Sequence, residues 1–242
     1  MYWQPAPEKH DGMNHDRMAP IQFMLTEGSG AALSLLQPDL VKKDLVAGPH
    51  GIVAFKPTGK GNYHALVAVR ELDHLHEYAV RYVYMHGKPL GTSPALVIQH
   101  EKAALEIEPA PLAREHWRYY ANTDAAFIVR FQGKPLERAD VLLHTANGTS
   151  RQLQTDLDGK LIVALPEDFT RGRSGRAGNR PAEFVLTASH SNGEQRYITT
   201  FSYNYHVNPE QWQSTPLGLA VIGGGMLLGG LMTWRMRRRK EK

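Results

Sequence analysis

The sequence has no cysteine. That excludes disulfides, thiolate nucleophiles, cysteine-type zinc fingers and iron–sulfur clusters. It leaves the compartment open, because a thiol-free chain suits an oxidising periplasm as well as a cytosol. Enzymatic signatures are missing too. There is no Gly-x-Ser-x-Gly elbow, no His-Glu-x-x-His pair, no Walker loop and no dinucleotide fingerprint, so the motif-bearing enzyme classes fall away and a non-enzyme is expected. Long amphipathic helical stripes are absent between the apolar runs, which argues against a parallel α/β sheet. A secretory leader is not legible either: the opening MYWQPAPEKHDGMNHDRM is polar, and the run 21–36 is broken by Glu27.

Basic charge is scarce everywhere but at one end. The formal charge of +4 and pI near 9.2 suggest a nucleic-acid binder until the charges are placed. Residues 235–242, RMRRRKEK, hold six Lys and Arg against one Glu, leaving 22 Lys and Arg against 23 Asp and Glu before Arg235. The basicity belongs to a tail and not to a domain surface, so no nucleic-acid partner is expected.

Just before that tail, residues 217–234 read LGLAVIGGGMLLGGLMTW, eighteen residues without a charge. A helix of this length spans about 27 Å, close to the hydrocarbon thickness of a bilayer. Trp234 stands where an interfacial aromatic is favoured, and the arginines follow at once. The reading is a single transmembrane helix in the cell inner membrane. Its only cationic flank is C-terminal, so the body is expected outside, in the periplasm, and residues 235–242 in the cytoplasm. Gly225 and Gly229 form a small-x-x-x-small pair that would let a membrane-protein partner approach closely.

Residues 1–48 show neither alternation nor a helical stripe and are punctuated by Pro5, Pro7, Pro20 and Pro38. They are expected to be an irregular N-terminal segment. From Gly51 onward, short runs rich in Val, Ile and Tyr alternate with turn residues: GIVAF, YHALVAV, EYAVRYVYM, ALVIQ and ALEIE. These are predicted strands. In the third run Tyr78, Val80, Tyr82 and Tyr84 share one face, and Ala79, Arg81, Val83 and Met85 the other. The stretch PAPLAREHWRYYA breaks the pattern, and a second set follows: AFIVRF, ADVLLHT, RQLQT, KLIVALP, EFVLTAS and QRYITTFSYNY. Asn147-Gly148, Asp158-Gly159 and Asn192-Gly193 supply the positive φ angles that tight antiparallel hairpins need. The expected organisation is an irregular segment at 1–48, a β-sandwich at 49–110, a linker at 111–121, a second β-sandwich at 122–208, a juxtamembrane linker at 209–216, and the span at 217–234 with its tail at 235–242.

Residues 133–166, GKPLERADVLLHTANGTSRQLQTDLDGKLIVALP, resemble the transthyretin-like or carboxypeptidase-regulatory-like β-sandwich. That module has a Gly-x-Pro-Leu turn, an apolar strand, and a Thr-Asp-x-Asp-Gly turn before the next strand. A partial echo, MHGKPLGTSPALVIQ at 85–99, keeps Gly-Lys-Pro-Leu without the Asp-Gly turn. The resemblance implies an all-β body of two small antiparallel sandwiches of immunoglobulin-like or transthyretin-like type, to which the apolar run at 217–234 adds the expected C-terminal transmembrane helix. More loosely, the arrangement is similar to periplasmic accessory proteins of nickel or cobalt uptake. That family implies a metal-binding histidine near the mature N-terminus, and no residue here is matched to it.

Two clusters carry metal-ligand chemistry. In HDGMNHDRM, His10, Met13, His15 and Met18 interleave imidazole and thioether within nine residues, a set that suits copper because thioether favours Cu(I) and imidazole both oxidation states. In the run from Tyr63 to Gly87, His64, His74, His76 and His86 lie across an expected hairpin, and His74 and His76 share a face if extended. Glu71, Asp73 and Glu77 are candidate further ligands or acceptors. Asp156 and Asp158 resemble the start of a calcium loop but lack its later carboxylates, so a hairpin turn is expected. Asn147-Gly148-Thr149 matches a glycosylation acceptor, yet its Asn-Gly pair already serves a turn. The resulting expectation is a membrane-anchored, extracytoplasmic metal-binding or metal-uptake accessory protein holding copper or nickel. The alternative is a non-catalytic structural or interaction subunit of a membrane protein complex.

Overall fold

The structure, a computed structural model, describes residues 1–7, 20–112, 118–170 and 179–211, with Val221, Ile222, Gly225, Met226 and Gly229. Among these, 55% lie in strands and 8% in helical turns, which makes the protein mostly β. In chain order the elements are β1 (Tyr2–Pro5), β2 (Ile21–Thr26), β3 (Ala32–Leu36), β4 (Lys42–Leu45), β5 (Ile52–Phe55), β6 (Lys60–Leu72), β7 (Leu75–Met85) and β8 (Lys88–Pro89). After the short helix α1 (Ala95–Gln99) come β9 (Leu105–Pro109), β10 (Tyr119–Tyr120), β11 (Asp124–Phe131), β12 (Lys134–Pro135), β13 (Asp140–Thr145), β14 (Ser150–Gln154), β15 (Lys160–Ala164), β16 (Ala182–Asn192) and β17 (Gln195–His206).

One large sheet runs β14-β13-β16-β17-β7-β6-β3-β4, with β10 and β8 paired at β17 and β6. Two smaller sheets, β1-β2-β5 and the β12-β11-β15 set with β9 on β11, pack against it as sandwiches. Side-chain parity places them on opposite faces. Leu66, Ala68, Ala79 and Met85 join Trp3, Phe23, Leu25 and Val53 in one core. The intervening residues Ala65, Val67, Tyr78, Val80 and Tyr82 join Leu105, Ile107, Phe127 and Leu161 in the other. The two faces expected for the run from Tyr78 to Met85 are therefore real, and both are buried, apart from half-buried Val83 and from Tyr84 at 40% exposure. This is why β6 and β7 read as near-continuous apolar runs where β13 and β15 alternate strictly.

Three expectations need correction. Residues 1–48 contain β1 to β4, not an irregular lead-in. These strands are four to six residues long and β4 is KKDL, so alternation covers too few positions to register as a period. The segment ALVIQ is α1 and not a strand. The Ser93 hydroxyl accepts the Ala95 amide at 3.2 Å and Pro94 precedes the first turn, a helix start that outweighs the β propensity of Val and Ile. Finally, Asp156 to Gly159 turns but makes no hairpin: β14 pairs with β13, and β15 with β11. Asp156 accepts the amides of Asp158 and Lys160 at 3.0 and 2.8 Å, steering the chain from one sheet to the other.

The expected boundary at 111–121 does not interrupt the large sheet. Leu75 to Val80 of β7 pair in parallel with Arg196 to Phe201 of β17, so strands from 49–110 and 122–208 are neighbours. Residues 1–169 and 181–206 form one compact unit. Arg81 of β7 crosses β17 to meet Glu183 of β16 at 2.5 and 3.2 Å, its guanidinium lying near the rings of Phe23 and Tyr203.

The second unit comprises residues 170–180 and 207–242. Its described part includes a 3-10 turn at Pro209–Gln211, where Asn208 accepts the Glu210 amide at 3.1 Å. Of the expected span 217–234, only residues 221, 222, 225, 226 and 229 are described, all helical. The rest of it, and the tail 235–242, lie outside the described residues. Among the described residues no helix is long and apolar enough to cross a membrane. Among the described residues, the helix's own backbone aside, a Cβ added at Gly225 or Gly229 would meet no atom within 4 Å.

Candidate functional site

The expected metal ligands divide into three groups. His10, Met13, His15 and Met18 lie outside the described residues. His64 is fully buried on β6. Its Nδ1 faces the Asn62 carbonyl at 3.1 Å, which only accepts, so Nδ1 carries the proton. Its Nε2 therefore accepts from the Thr58 hydroxyl at 2.7 Å. Burial pulls its pKa down to about 4. With both nitrogens engaged and charge disfavoured, His64 is a packing residue. His86 stands edge-on to Tyr84 at 5.2 Å between ring centres.

The remaining pair, His74 and His76, sits at the β6–β7 turn. His76 Nδ1 contacts the Glu71 carboxylate, its Nε2 lies 2.8 Å from Gln195 Oε1, and its ring stacks on Tyr197 with centres 4.6 Å apart. His74 Nδ1 lies 3.4 Å from Gln195 Nε2. The two histidines thus converge on one glutamine of the β16–β17 turn. Among the described residues no group of three or more His, Asp or Glu side chains is arranged to hold a metal ion. Glu77 pairs instead with Arg70 on the neighbouring strand.

A different constellation, not singled out from the sequence, lies beside α1, β9 and β11. β9 reads LEIEP, and its alternation sends Leu105 and Ile107 into the core and Glu106 and Glu108 to the opposite face. Both carboxylates are nevertheless buried, at 3% and 6% exposure. Glu106 accepts the Lys102 amide at 2.8 Å and faces the Lys102 ammonium at 3.3 Å. Burial pushes its pKa up to about 7, against the lowering pull of Lys102. Lys102 is itself buried and donates to the Ile98 carbonyl at 2.9 Å, near the last turn of α1. Glu108 pairs with Arg130 of β11 at 2.9 Å. The Tyr82 phenol points into the same region, its pKa raised by burial and then by the fields of Glu106 and Glu108, with no hydrogen-bond partner among the described residues.

Two adjoining hollows open over these charges. One, of about 320 Å³, is walled by Tyr63, Ile98, Leu112, Ile128 and the prolines 94, 109 and 111. The other, of about 290 Å³, is bounded by Glu101, Glu106 and Glu108 with Gln99 and Arg130. Gln99, Glu108 and Arg130 line both, so the trough is apolar at one end and anionic at the other. The signal that could have found it was the alternation of Glu in a run otherwise apolar, which in an edge-exposed strand reads as a solvated face.

No family model matches the chain, and no curated protein matches it. Among solved structures it is similar to one described as "Structural insight into host cell surface retention of a 1.5-MDa bacterial ice-binding adhesin", at 13% identity and a TM-score of 0.27 over 79% of this chain and 58% of that one. It is also similar to "Ca2+-stabilized adhesin helps an Antarctic bacterium reach out and bind ice", at 14% identity and a TM-score of 0.29, covering 79% and 45%. A third likeness is to the "D0-D1 domain of Intimin", at 14% identity and a TM-score of 0.23, covering 78% and 91%. The chain spans about half the length of the first two. At these TM-scores the likenesses carry no argument about function.

Proposed function

We propose that this chain is a non-catalytic binding subunit of a membrane protein complex. Its two joined immunoglobulin-like or transthyretin-like sandwiches stand outside the inner membrane, anchored by one helix at 217–234 with residues 235–242 inside. The observation that carries this reading is the trough beside α1, where an apolar hollow adjoins one with three carboxylates, Glu106 facing the Lys102 ammonium and Glu108 the Arg130 guanidinium, so that carboxylates outnumber cations by one. Such a trough suits an extended basic segment of a partner chain. An apolar side chain would pack against Ile98 and Ile128, and a lysine or arginine head would meet Glu101 and Glu108 through charge-assisted bonds.

The isotope-labelled full chain in nanodiscs can be titrated with acetyl-Val-Lys-Val-Lys-Val-amide and with its glutamate counterpart. The basic peptide should shift the amides of Gln99, Glu106, Glu108 and Arg130, and Glu101→Gln with Glu108→Gln should weaken it about tenfold, as loss of a charge-assisted bond implies. Equal responses to both peptides would overturn the reading. For topology, protease added to spheroplasts should digest the body and spare a C-terminal tag; a protected body contradicts it.

A second reading, a copper- or nickel-binding accessory protein, draws support from the pairing of β1 with β2. Pro5 lies opposite Phe23 in that antiparallel pair, so the connection carrying His10, Met13, His15 and Met18 starts and finishes on adjacent strands and is no free end. Replacing the two histidines by Ala and the two methionines by Leu should abolish tight Cu(I) binding; affinity equal to the parent would end this reading.

A further inference from the structure

The attack that closes an asparagine into a cyclic imide comes from the main-chain nitrogen of the next residue, and a following glycine leaves that nitrogen least shielded. Asn147-Gly148 and Asn192-Gly193 are the two such pairs in the chain; every other asparagine precedes a residue with a side chain. Asp158-Gly159 offers the same attack with a carboxyl as the electrophile. All three glycines sit in turns with positive φ, at 97° for Gly148, 61° for Gly193 and 70° for Gly159. Sequence and local backbone therefore leave the three pairs alike.

Hydrogen bonding separates them. The Gly148 amide donates to the Thr145 carbonyl at 3.0 Å and the Gly159 amide to the Asp156 carbonyl at 3.1 Å, so each attacking nitrogen is already engaged. Gly159 is buried besides. The Asn147 side chain is held as well, its amide lying 3.2 Å from the Asp168 carboxylate and 3.1 Å from the Tyr205 phenol. Asn192 and Gly193 differ at every point. Both are exposed, and among the described residues neither the Asn192 side chain nor the Gly193 amide makes a hydrogen bond. A Cβ at Gly193 would meet nothing within 4 Å, so the space is open for the Asn192 side chain to bring its Cγ over that nitrogen.

We propose that Asn192-Gly193 is a site of spontaneous covalent modification in the folded protein, with water as the only co-reactant. The Gly193 nitrogen gives up its proton to water and bonds to Asn192 Cγ; the Cγ–Nδ2 bond breaks, and Nδ2 takes up a proton and leaves as ammonia. Water then opens the five-membered imide. Addition at Cγ restores the ordinary main chain with aspartate at 192. Addition at the main-chain carbonyl carbon leaves the chain running through Cγ, an isoaspartyl residue with a free α-carboxylate. Either product puts a new negative charge beside Glu194, at the position opposite Gln195. The isoaspartyl form also lengthens the turn by a methylene, in a tip whose Arg196 amide bonds the His74 carbonyl of the β6–β7 turn at 2.8 Å. At Asn147 the bonds at Gly148, Asp168 and Tyr205 must break first, which slows the same reaction about a hundredfold, the factor implied by losing one bond to a charged group and one neutral bond.

Peptide mapping by mass spectrometry, after the full chain in nanodiscs has been incubated in heavy-oxygen water at neutral pH, tests this directly. Asn192 should convert to aspartyl and isoaspartyl forms carrying the heavy label, about a hundredfold faster than Asn147. In urea, where neither turn is held, the two rates should converge. Asn192→Gln, whose extra methylene puts the side-chain carbonyl beyond five-membered closure, should leave that peptide unlabelled in the folded chain. An Asn192 that stays intact in the folded chain, a rate there less than about tenfold above that of Asn147, a gap that persists in urea, or label at position 192 in the glutamine variant overturns the proposal.

Discussion

Asp168 gathers four hydrogen bonds: from Thr149 at 2.6 Å, Thr145 at 2.7 Å, the Tyr205 phenol at 2.5 Å and Asn147 at 3.2 Å. Burial raises its pKa, but these donors outweigh burial and hold it below the ordinary carboxylate value. A depressed carboxylate stabilises the fold above its unfolded pKa of about 3.9 and loses that contribution as pH falls through the folded value. Asp168→Asn should cost about 1.5–3 kcal/mol at pH 7, the range for bonds to a charged group. Urea unfolding should show the gap between parent and variant narrowing near pH 3, and an unchanged gap would contradict the assignment. His64 acts with the opposite chemistry and the same sign. Its folded pKa near 4 lies below the unfolded value of about 6.5, so between those values the unfolded chain takes a proton that the folded chain refuses. Stability falls as pH drops through that window. The His64 ring shifts should keep their neutral-form values down to about pH 4; a midpoint near 6.5 would show that the ring is reached by water.

Turns behave at the scale of elements according to what lies beside them, not according to their sequence alone. Gly159 and Gly193 both have positive φ, at 70° and 61°. A Cβ at Gly159 would meet Leu136 N, Pro135 Cβ and Val129 O, each at 2.9 Å, because this turn is packed against the Gly-Lys-Pro-Leu element. At Gly193 nothing lies within 4 Å. Gly193→Ala should therefore cost only the backbone penalty of about 1 kcal/mol, and Gly159→Ala clearly more. Equal losses in chemical denaturation would refute the packing role of the Asp158-Gly159 turn. The two Gly-Lys-Pro-Leu copies show the same dependence on context. Both form two-residue strands, β8 on β6 and β12 on β11, but the first leads into α1 and the second into β13. The divergence begins at Ser93-Pro94, where a turn in which the Ser93 hydroxyl accepts the Ala95 amide replaces an extended strand.

Across the body of the molecule, the parallel pairing of β7 with β17 makes one sheet of two sandwiches, and the Arg81–Glu183 pair and the buried faces of β6 and β7 reinforce the join. Trp3, fully buried, donates to the Ala79 carbonyl at 3.1 Å, and the Met1 and Trp3 carbonyls accept from Thr200 and Ser202, so the first strand is bonded to residues of both halves. Residues 1–206 should consequently unfold in a single cooperative transition, with calorimetric and van't Hoff enthalpies in agreement. Two separated transitions, one reported by Trp3 fluorescence and another by the β13–β16 amides, would show that the halves are independent.

The sequence by itself determined what depends on neighbours along the chain. Alternation in ADVLLHT and KLIVA predicts half-buried strands, and β13 and β15 occupy those places. Asn147-Gly148 predicts the β13–β14 hairpin, and the two faces of β7 follow from period two alone. Those features are local because a backbone turn or a pleat is set within a few residues. Tertiary structure alone decided which strands became neighbours: β7 and β17 are about 120 residues apart, and parallel pairing needs no turn signal between them. It also decided which polar residues were buried. Glu106 and Glu108 read as a solvated face until α1 and β11 cover them, and His64 reads as a ligand until Thr58 and Asn62 take both its nitrogens. Burial and hydrogen-bond partnership depend on segments distant in the chain, and those two quantities fix the charge and the chemistry of a side chain.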